Sequence, residues 1–226
     1  MNAQVTVVIP TLNAEADLPD CLVALMEGVH AGLIRELIIS DGGSEDATQA
    51  IADAAGAELV VGAASRGGQL RRGVAMARGT WVMVIHADTV LEPGWAEAVS
   101  VHMRDTCAPA YFQLAFRARG LMPVWVAGWA NLRARLMALP YGDQGLLVRR
   151  SDYDRVGGYP DQPLMEDVAL VRALGRPLMG LPVAATTSAA RYLRAGWIRR
   201  GTRNLWTLVQ YFAGSDPKRL AQSYRR

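Results

Sequence analysis

The chain opens with apolar runs that alternate with amphipathic stretches. "VTVVIP" (5–10) is a continuous run of the kind found in strands covered on both faces. From about Ala14 to Ala31, Leu18, Leu22, Leu25, Met26 and Val29 recur along one side, which predicts a helix. "ELIIS" (36–40) predicts a second strand, and "EDATQAIADAAG" an alanine-rich helix ended by Gly56. "AELVVG" (57–62) predicts a third strand, followed by a helix to about Arg78, and "TWVMVIH" (80–86) a fourth. Repeated βα units with right-handed crossovers predict an α/β fold with a mostly parallel, twisted sheet and helices on both faces.

The predicted strands lead into "TLNAE", "DGGSED", "ASRGG" and "ADT". Polar residues thus gather at the carboxyl edge of the sheet, where loops converge and helix N-termini point at a ligand. No G-x-x-x-x-G-K-[ST] and no G-x-G-x-x-G follows a strand, which argues against an ATPase and a nicotinamide dehydrogenase.

At 226 residues the length suits one domain, 1–226, and 51% hydrophobic with 20% charged residues is a globular balance. The net charge of +3 is too small to argue for nucleic acid. Its distribution matters more. Beyond Ala190 come Arg191, Arg194, Arg199, Arg200, Arg203, Lys218, Arg219, Arg225 and Arg226, against Asp216 alone. This basic helical tail (190–226) suits an anionic partner or peripheral contact with an anionic membrane, and equally a solvated helix. "LMPVWVAGWA" and "LWTLVQYFAG" are too short to span a bilayer; either could lie on a bilayer surface, and core packing is the expectation for both. Cys21 and Cys107 read as two buried thiols in a reducing compartment. With no visible signal peptide, a cytoplasmic location is expected.

Taken together, "VVIPTLNAE", "ELIISDGGSEDAT", "GAASRGGQLRRGVAMARGTWVMVIHADT" and "MEDVALVRAL" resemble the family 2 glycosyltransferases of GT-A fold, from about Val5 to Leu174. The H-A-D-T variant is similar to a small bacterial subgroup associated with radical-SAM or arsenosugar pathways. The resemblance implies transfer of a sugar from a nucleotide diphospho-sugar donor to an acceptor hydroxyl, usually with inversion. It implies a divalent metal, Mn²⁺ or Mg²⁺, on Asp88, the last acid of the family's D-x-D. Pro10, Thr11, Leu12, Asn13 and Glu15 would line the nucleoside site, Asp41 would meet the base, and Asp167 would be the catalytic base, with Glu166 positioning. A Q-x-x-R-W motif is not evident, so a non-processive enzyme is implied. The acceptor, a small molecule or a lipid-linked one, is not identified.

Each residue also has a plainer reading. Asp41 can accept hydrogen bonds from a base or form an Asp-Gly turn. Glu15 can take ribose hydroxyls or sit in a helix's first turn. Arg66, Gln69 and one of Arg71 or Arg72 suit a diphosphate beside the glycines, and His86 and Ala87 complete the donor side. Gly142, Asp143 and Gln144 in "PYGDQG" are acceptor-side candidates or a turn. Glu166 and Asp167 suit a helix N-terminus even without catalysis. His86 either ligates the metal beside Asp88, donates a hydrogen bond to the diphosphate or a metal-bound water, or plugs the strand end. His30 and His102 read as structural. The segment from about Leu121 to Leu139 and the tail would wall the acceptor pocket. Two other classes remain: a nucleotidyltransferase, whose Gly-rich, Lys-containing loop is absent, and a non-catalytic nucleotide or glycan binder.

Overall fold

The computed structural model describes residues 3–175 and 177–225. The first half follows the predicted alternation: β1 (Val5–Thr11), α1 (Leu18–His30), β2 (Ile34–Asp41), α2 (Thr48–Ala54), β3 (Glu58–Val61), α3 (Arg66–Met76) and β4 (Trp81–Val84). The second half holds β5 (Thr89–Leu91), α4 (Trp95–Asp105), β6 (Ala110–Phe116), α5 (Leu121–Met137), β7 (Leu146–Arg149), α6 (Arg150–Arg155), α7 (Glu166–Leu174) and β8 (Met179–Thr187). Three helices close the chain: α8 (Ala190–Ala195), α9 (Trp197–Phe212) and α10 (Pro217–Arg225). The first helix begins at Leu18, not Ala14, because Pro19 belongs in a first turn, where its missing N–H is no loss.

The eight strands lie in the order β3-β2-β1-β4-β7-β6-β8-β5. The mostly parallel expectation holds from β3 to β4, where every pairing is parallel. Beyond β4 the sheet is mixed: β7 runs antiparallel to β4 and β6, β8 is parallel to β6, and β5 is antiparallel to β8. The antiparallel β4–β7 pair has a functional consequence. Val84 at the end of β4 sits opposite Leu146 at the start of β7, so the turn before β7 meets the loop after β4.

One face of the sheet buries Val7, Ile9, Met83, Phe112 and Leu147 against Leu18, Cys21 and Trp95 of α1 and α4. The other buries Val8, Val82 and Val148 against Leu70, Val74 and Leu170 of α3 and α7. Helix α3 lies close on its strands because Gly73 has no side chain: a Cβ there would stand 2.5 Å from Val8 Cγ1. This close seat fixes Arg66, at the start of α3, over the sheet edge.

Two expectations fail at the periphery. The runs within α5 and α9 are only half core. Val126, Ala127 and Ala130 of α5 are buried, as is Leu208 of α9, while Trp125, Trp129 and Trp206 face outward. The two thiols also differ, Cys21 being buried and Cys107 exposed.

Candidate functional site

The loops after β1 and β2 are laced together. Asn13 adopts a left-handed conformation (φ 51°), its N–H donates to Ser44 Oγ at 2.8 Å, and its Oδ1 accepts from Glu45 N at 3.0 Å. Glu15 Oε2 accepts from Ala47 N at 2.9 Å. Asp41 is fully buried and accepts from Thr11 Oγ1 (2.8 Å), Gly43 N (2.9 Å), Ser44 N (2.7 Å), Ser44 Oγ (2.5 Å) and Gln49 Nε2 (3.1 Å). Burial opposes its ionisation, but these donors, Ser44 foremost, outweigh it and hold the carboxyl below its ordinary value. Both carboxylate oxygens of Asp41 thus tie its loop to β1 and α2, and the side chain is turned into these partners. Pro10 and Thr11 lie at the end of β1, and Leu12 is half-exposed beside them.

Three expected ligand contacts are structural ties instead. Gln69 is buried, and its Nε2 donates to Thr11 O at 2.7 Å and Ser40 O at 3.1 Å, binding α3 to β1 and β2. Gln144 is buried, donating to Phe112 O at 3.3 Å and Asn131 Oδ1 at 3.2 Å. Ala87 belongs to the core. Of the paired arginines, Arg71 is exposed, and it is Arg72 that turns inward, donating to Asp41 O at 3.3 Å and Ala63 O at 3.2 Å.

The other candidates converge. Strand β4 ends at Val84, and His86 to Thr89 form a turn closed by Thr89 N donating to His86 O at 3.1 Å. Both His86 and Asp88 line an open cleft together with Arg66, Gly142, Asp143 and Asp167. Gly142 is the hinge of the cluster. Its N–H donates to Asp167 Oδ2 at 2.7 Å, and a Cβ on it would stand 2.8 Å from His86 Nε2. Asp167 Oδ1 accepts from Val168 N at 2.7 Å, inside the first turn of α7. The residue before that helix, Met165, has φ 63°, a strained conformation for a side chain of its size, and it brings Glu166 and Asp167 round into the site.

Arg66 joins α3 to this cluster. Its Nε lies 3.2 Å from Glu166 Oε1, and its Nη2 lies 3.4 Å from His86 Nε2. A guanidinium has no acceptor, so Arg66 donates and the imidazole is neutral. Burial first, then the Arg66 charge, press His86 down to about 3. Burial raises Glu166 to about 7, with Arg66 opposing and Asp167 adding to the shift. Burial likewise lifts Asp143 to about 6, against the pull of Arg133, and its Oδ1 is buried without a hydrogen-bond partner.

The tail forms the far wall. Arg191, Tyr192, Arg200, Asn204 and Tyr224 line the cleft, a walling role expected of the tail as a whole. Tyr224 accepts from Arg200 at 2.6 Å and donates to Asn204 at 2.8 Å. Helix α5 contributes no lining residue, since its buried face packs on Leu114 and Phe116 of β6. Tyr141, next to Gly142, lines the cleft as well.

Among the described residues, no group of three or more His, Cys, Asp or Glu is placed to hold a metal by itself. Asp88 offers a hard oxygen in the cleft and has no ion pair among the described residues. Arg117 donates to Asp20 Oδ2 at 3.2 Å, and toward Asp88 it reaches the backbone carbonyl, at 3.4 Å. A divalent cation here would be held by the Asp88 carboxylate and would need further oxygens from a bound anion.

Residues 6–122 match the profile of the family described as Glycosyl transferase family 2. A stretch of 93 residues is 36% identical to a "PGL/p-HBAD biosynthesis glycosyltransferase" of Mycobacterium bovis, covering 38% of this chain and 36% of that protein. A Mycobacterium tuberculosis protein of the same name matches to the same extent. The matched stretch therefore spans only about a third of these relatives' length. Among solved structures, a mannosyltransferase from Pyrobaculum calidifontis in complex with GDP-Man and Mn²⁺ superposes with TM-score 0.67 at 18% identity, over 95% of this chain and 64% of that one. Glucosyl-3-phosphoglycerate synthase from Mycobacterium tuberculosis, in complex with Mn²⁺, UDP and phosphoglyceric acid, gives 0.60 at 22% identity, over 90% and 77%. S. aureus TarS gives 0.64 at 13%, over 91% and 64%. At these identities the likeness is one of fold, the GT-A arrangement of a curled sheet flanked by helices. With the profile matched over more than half of its length, the chain belongs to glycosyl transferase family 2.

Proposed function

We propose that the chain transfers a glycosyl group from a nucleoside diphosphate sugar to an acceptor hydroxyl by a single, inverting and non-processive displacement. The observation that carries this reading is Asp167, fixed by the N–H groups of Gly142 and Val168 in the same cleft as Asp88 and Arg66. The acceptor oxygen bonds to the anomeric carbon as the bond from that carbon to the diphosphate breaks, and the electron pair leaves with the diphosphate. Asp167 takes the acceptor's proton. Arg66 faces the charge that accumulates on the leaving group. Asp143, with an unpartnered buried oxygen, binds an acceptor hydroxyl. A divalent metal held by Asp88, Mn²⁺ or Mg²⁺, supplies neutralisation of the diphosphate when bound. Glu166 keeps Arg66 in place. Leu12, Asn13 and Glu15 remain the residues for the nucleoside, at the exposed edge of the laced loops.

The acceptor enters between Tyr141 and the tail, and is a small molecule or the head of a lipid-linked one. The basic tail contributes peripheral membrane contact, and the H-A-D-T turn supports the narrower radical-SAM or arsenosugar-associated subgroup. Product analysis after incubation with nucleotide sugars and Mn²⁺ tests the reaction class. Free nucleoside diphosphate is expected. Pyrophosphate from a nucleoside triphosphate would make the protein a nucleotidyltransferase, and no product at all a binder.

A further inference from the structure

Helix α5 turns its most apolar side away from the protein. Leu121 is 88% exposed, Val124 72%, Trp125 65%, Trp129 52%, Leu132 46% and Leu136 72%. Their spacing of three and four residues puts them on one face, running about 22 Å at about 1.5 Å per residue. Helix α9, packed against α5, does the same with Ile198 (67%), Leu205 (44%), Trp206 (62%) and Val209 (48%). Three of the six tryptophans thus stand in water. Scattered exposed apolar residues need no explanation, but clustered large apolar side chains on the outer faces of two neighbouring helices mark a contact surface.

We propose that the outer faces of α5 and α9 dock the protein on an anionic lipid bilayer, without crossing it. Charge decides the occupant. No acid lies between Asp105 and Asp143, nor between Asp167 and Asp216, and these two stretches contain α5 and α9. The exposed charges bordering the apolar faces are cations: Arg119 and Arg135 at the ends of α5, Arg194 in α8 and Arg199 in the first turn of α9. Tryptophans set among leucines and bordered by arginines match the boundary between headgroups and acyl chains. A second copy of the chain would bring these arginines against their own kind. Among the described residues no helix is long and apolar enough to cross a membrane, so the contact is one of lying on the surface.

The docked face of α9 backs directly onto the cleft. Helix α9 presents Ile198, Leu205 and Trp206 outward while Arg200 and Asn204 line the cleft, and α8 likewise divides Leu193 from Tyr192. Docking would therefore hold the cleft close to the lipid headgroups. The surface itself stands whether or not the proposed transfer reaction is right.

The test is flotation of the full chain with vesicles of phosphatidylcholine alone or mixed with phosphatidylglycerol, at low and high salt. Binding is expected with the anionic vesicles, weakened by salt. Replacing Trp125→Ser, Trp129→Ser and Trp206→Ser together should reduce it about tenfold or more, while the circular dichroism spectrum and the thermal midpoint stay close to the parent's. Arg194→Glu with Arg199→Glu should remove the preference for anionic lipid. A parent that stays in the soluble fraction with both vesicles overturns the proposal, and so does a tryptophan variant that floats like the parent. A parent dimer that the same tryptophan changes convert to monomer would assign the surface to a second copy instead.

Discussion

Arg66 is shared between an acid and a neutral imidazole, with Nε 3.2 Å from Glu166 Oε1 and Nη2 3.4 Å from His86 Nε2. Glu166 is 2% exposed, and burial raises its carboxyl to about 7 despite that partner. In the unfolded chain the same carboxyl ionises near its ordinary value of 4.5. The folded state therefore holds a proton that the unfolded state has released. The associated stability is present below 4.5 and lost as pH rises through about 7. Glu166→Gln has no such proton to hold. The stability of the variant relative to the parent should improve on the order of 3 kcal/mol between pH 4.5 and pH 8, as measured by urea denaturation at both. A difference that does not change with pH would mean that Arg66 keeps Glu166 ionised throughout.

Asp167→Asn tests the proposed base. The amide has only one acceptor oxygen for the N–H groups of Gly142 and Val168. One of them loses its partner, at a cost of about 1 kcal/mol. Transfer should fall about 10²–10⁴-fold, with nucleotide affinity little changed. Turnover at the parent rate would leave Asp167 as a helix-terminal acid and send the search to Asp143.

Asp41→Ala should act on folding before it acts on ligand. The carboxylate accepts from Thr11, Gly43, Ser44 and Gln49 and ties the second loop to the first. Its loss leaves several buried donors unmatched, at a cost of about 3 kcal/mol. Thermal denaturation without ligand reads this directly. A parent-like midpoint with weakened nucleotide binding would return Asp41 to the base-recognition role.

Much of this architecture was legible because the first four strands carry period and punctuation together, and each ends in a polar loop. Arg66, His86, Asp88, Asp143 and Asp167, picked from separate stretches, line one cleft. The illegible parts share a cause: residue type does not tell which way a side chain faces. Gln69 and Gln144 have the chemistry of ligand contacts and are instead buried ties between backbone segments. The tryptophans of α5 look like core by composition and stand outside. Arg200 and Asn204 were hidden in a basic run that reads equally well as a solvated helix. The antiparallel entry of β7 depends on a long excursion through α5 that no local pattern records.

The two candidate ligands of the metal differ in what already faces them. Asp88 has an oxygen in the cleft and no ion pair among the described residues, whereas His86 Nε2 already faces the Arg66 guanidinium. A cation beside that nitrogen would have to displace a positive charge first. Asp88 should therefore hold Mn²⁺ with the diphosphate, and His86 should only border the site. Thermal shift with a nucleoside diphosphate, with and without Mn²⁺, measures this without any turnover. If Mn²⁺ tightens the nucleotide tenfold, it adds about 1.4 kcal/mol of stability at saturating ligand. Asp88→Ala should abolish that increment, and His86→Gln should keep most of it. Should His86→Gln lose it as completely as Asp88→Ala, the imidazole is a ligand and Arg66 moves aside when the nucleotide binds. Should Asp88→Ala keep it, the metal is held elsewhere in the cleft.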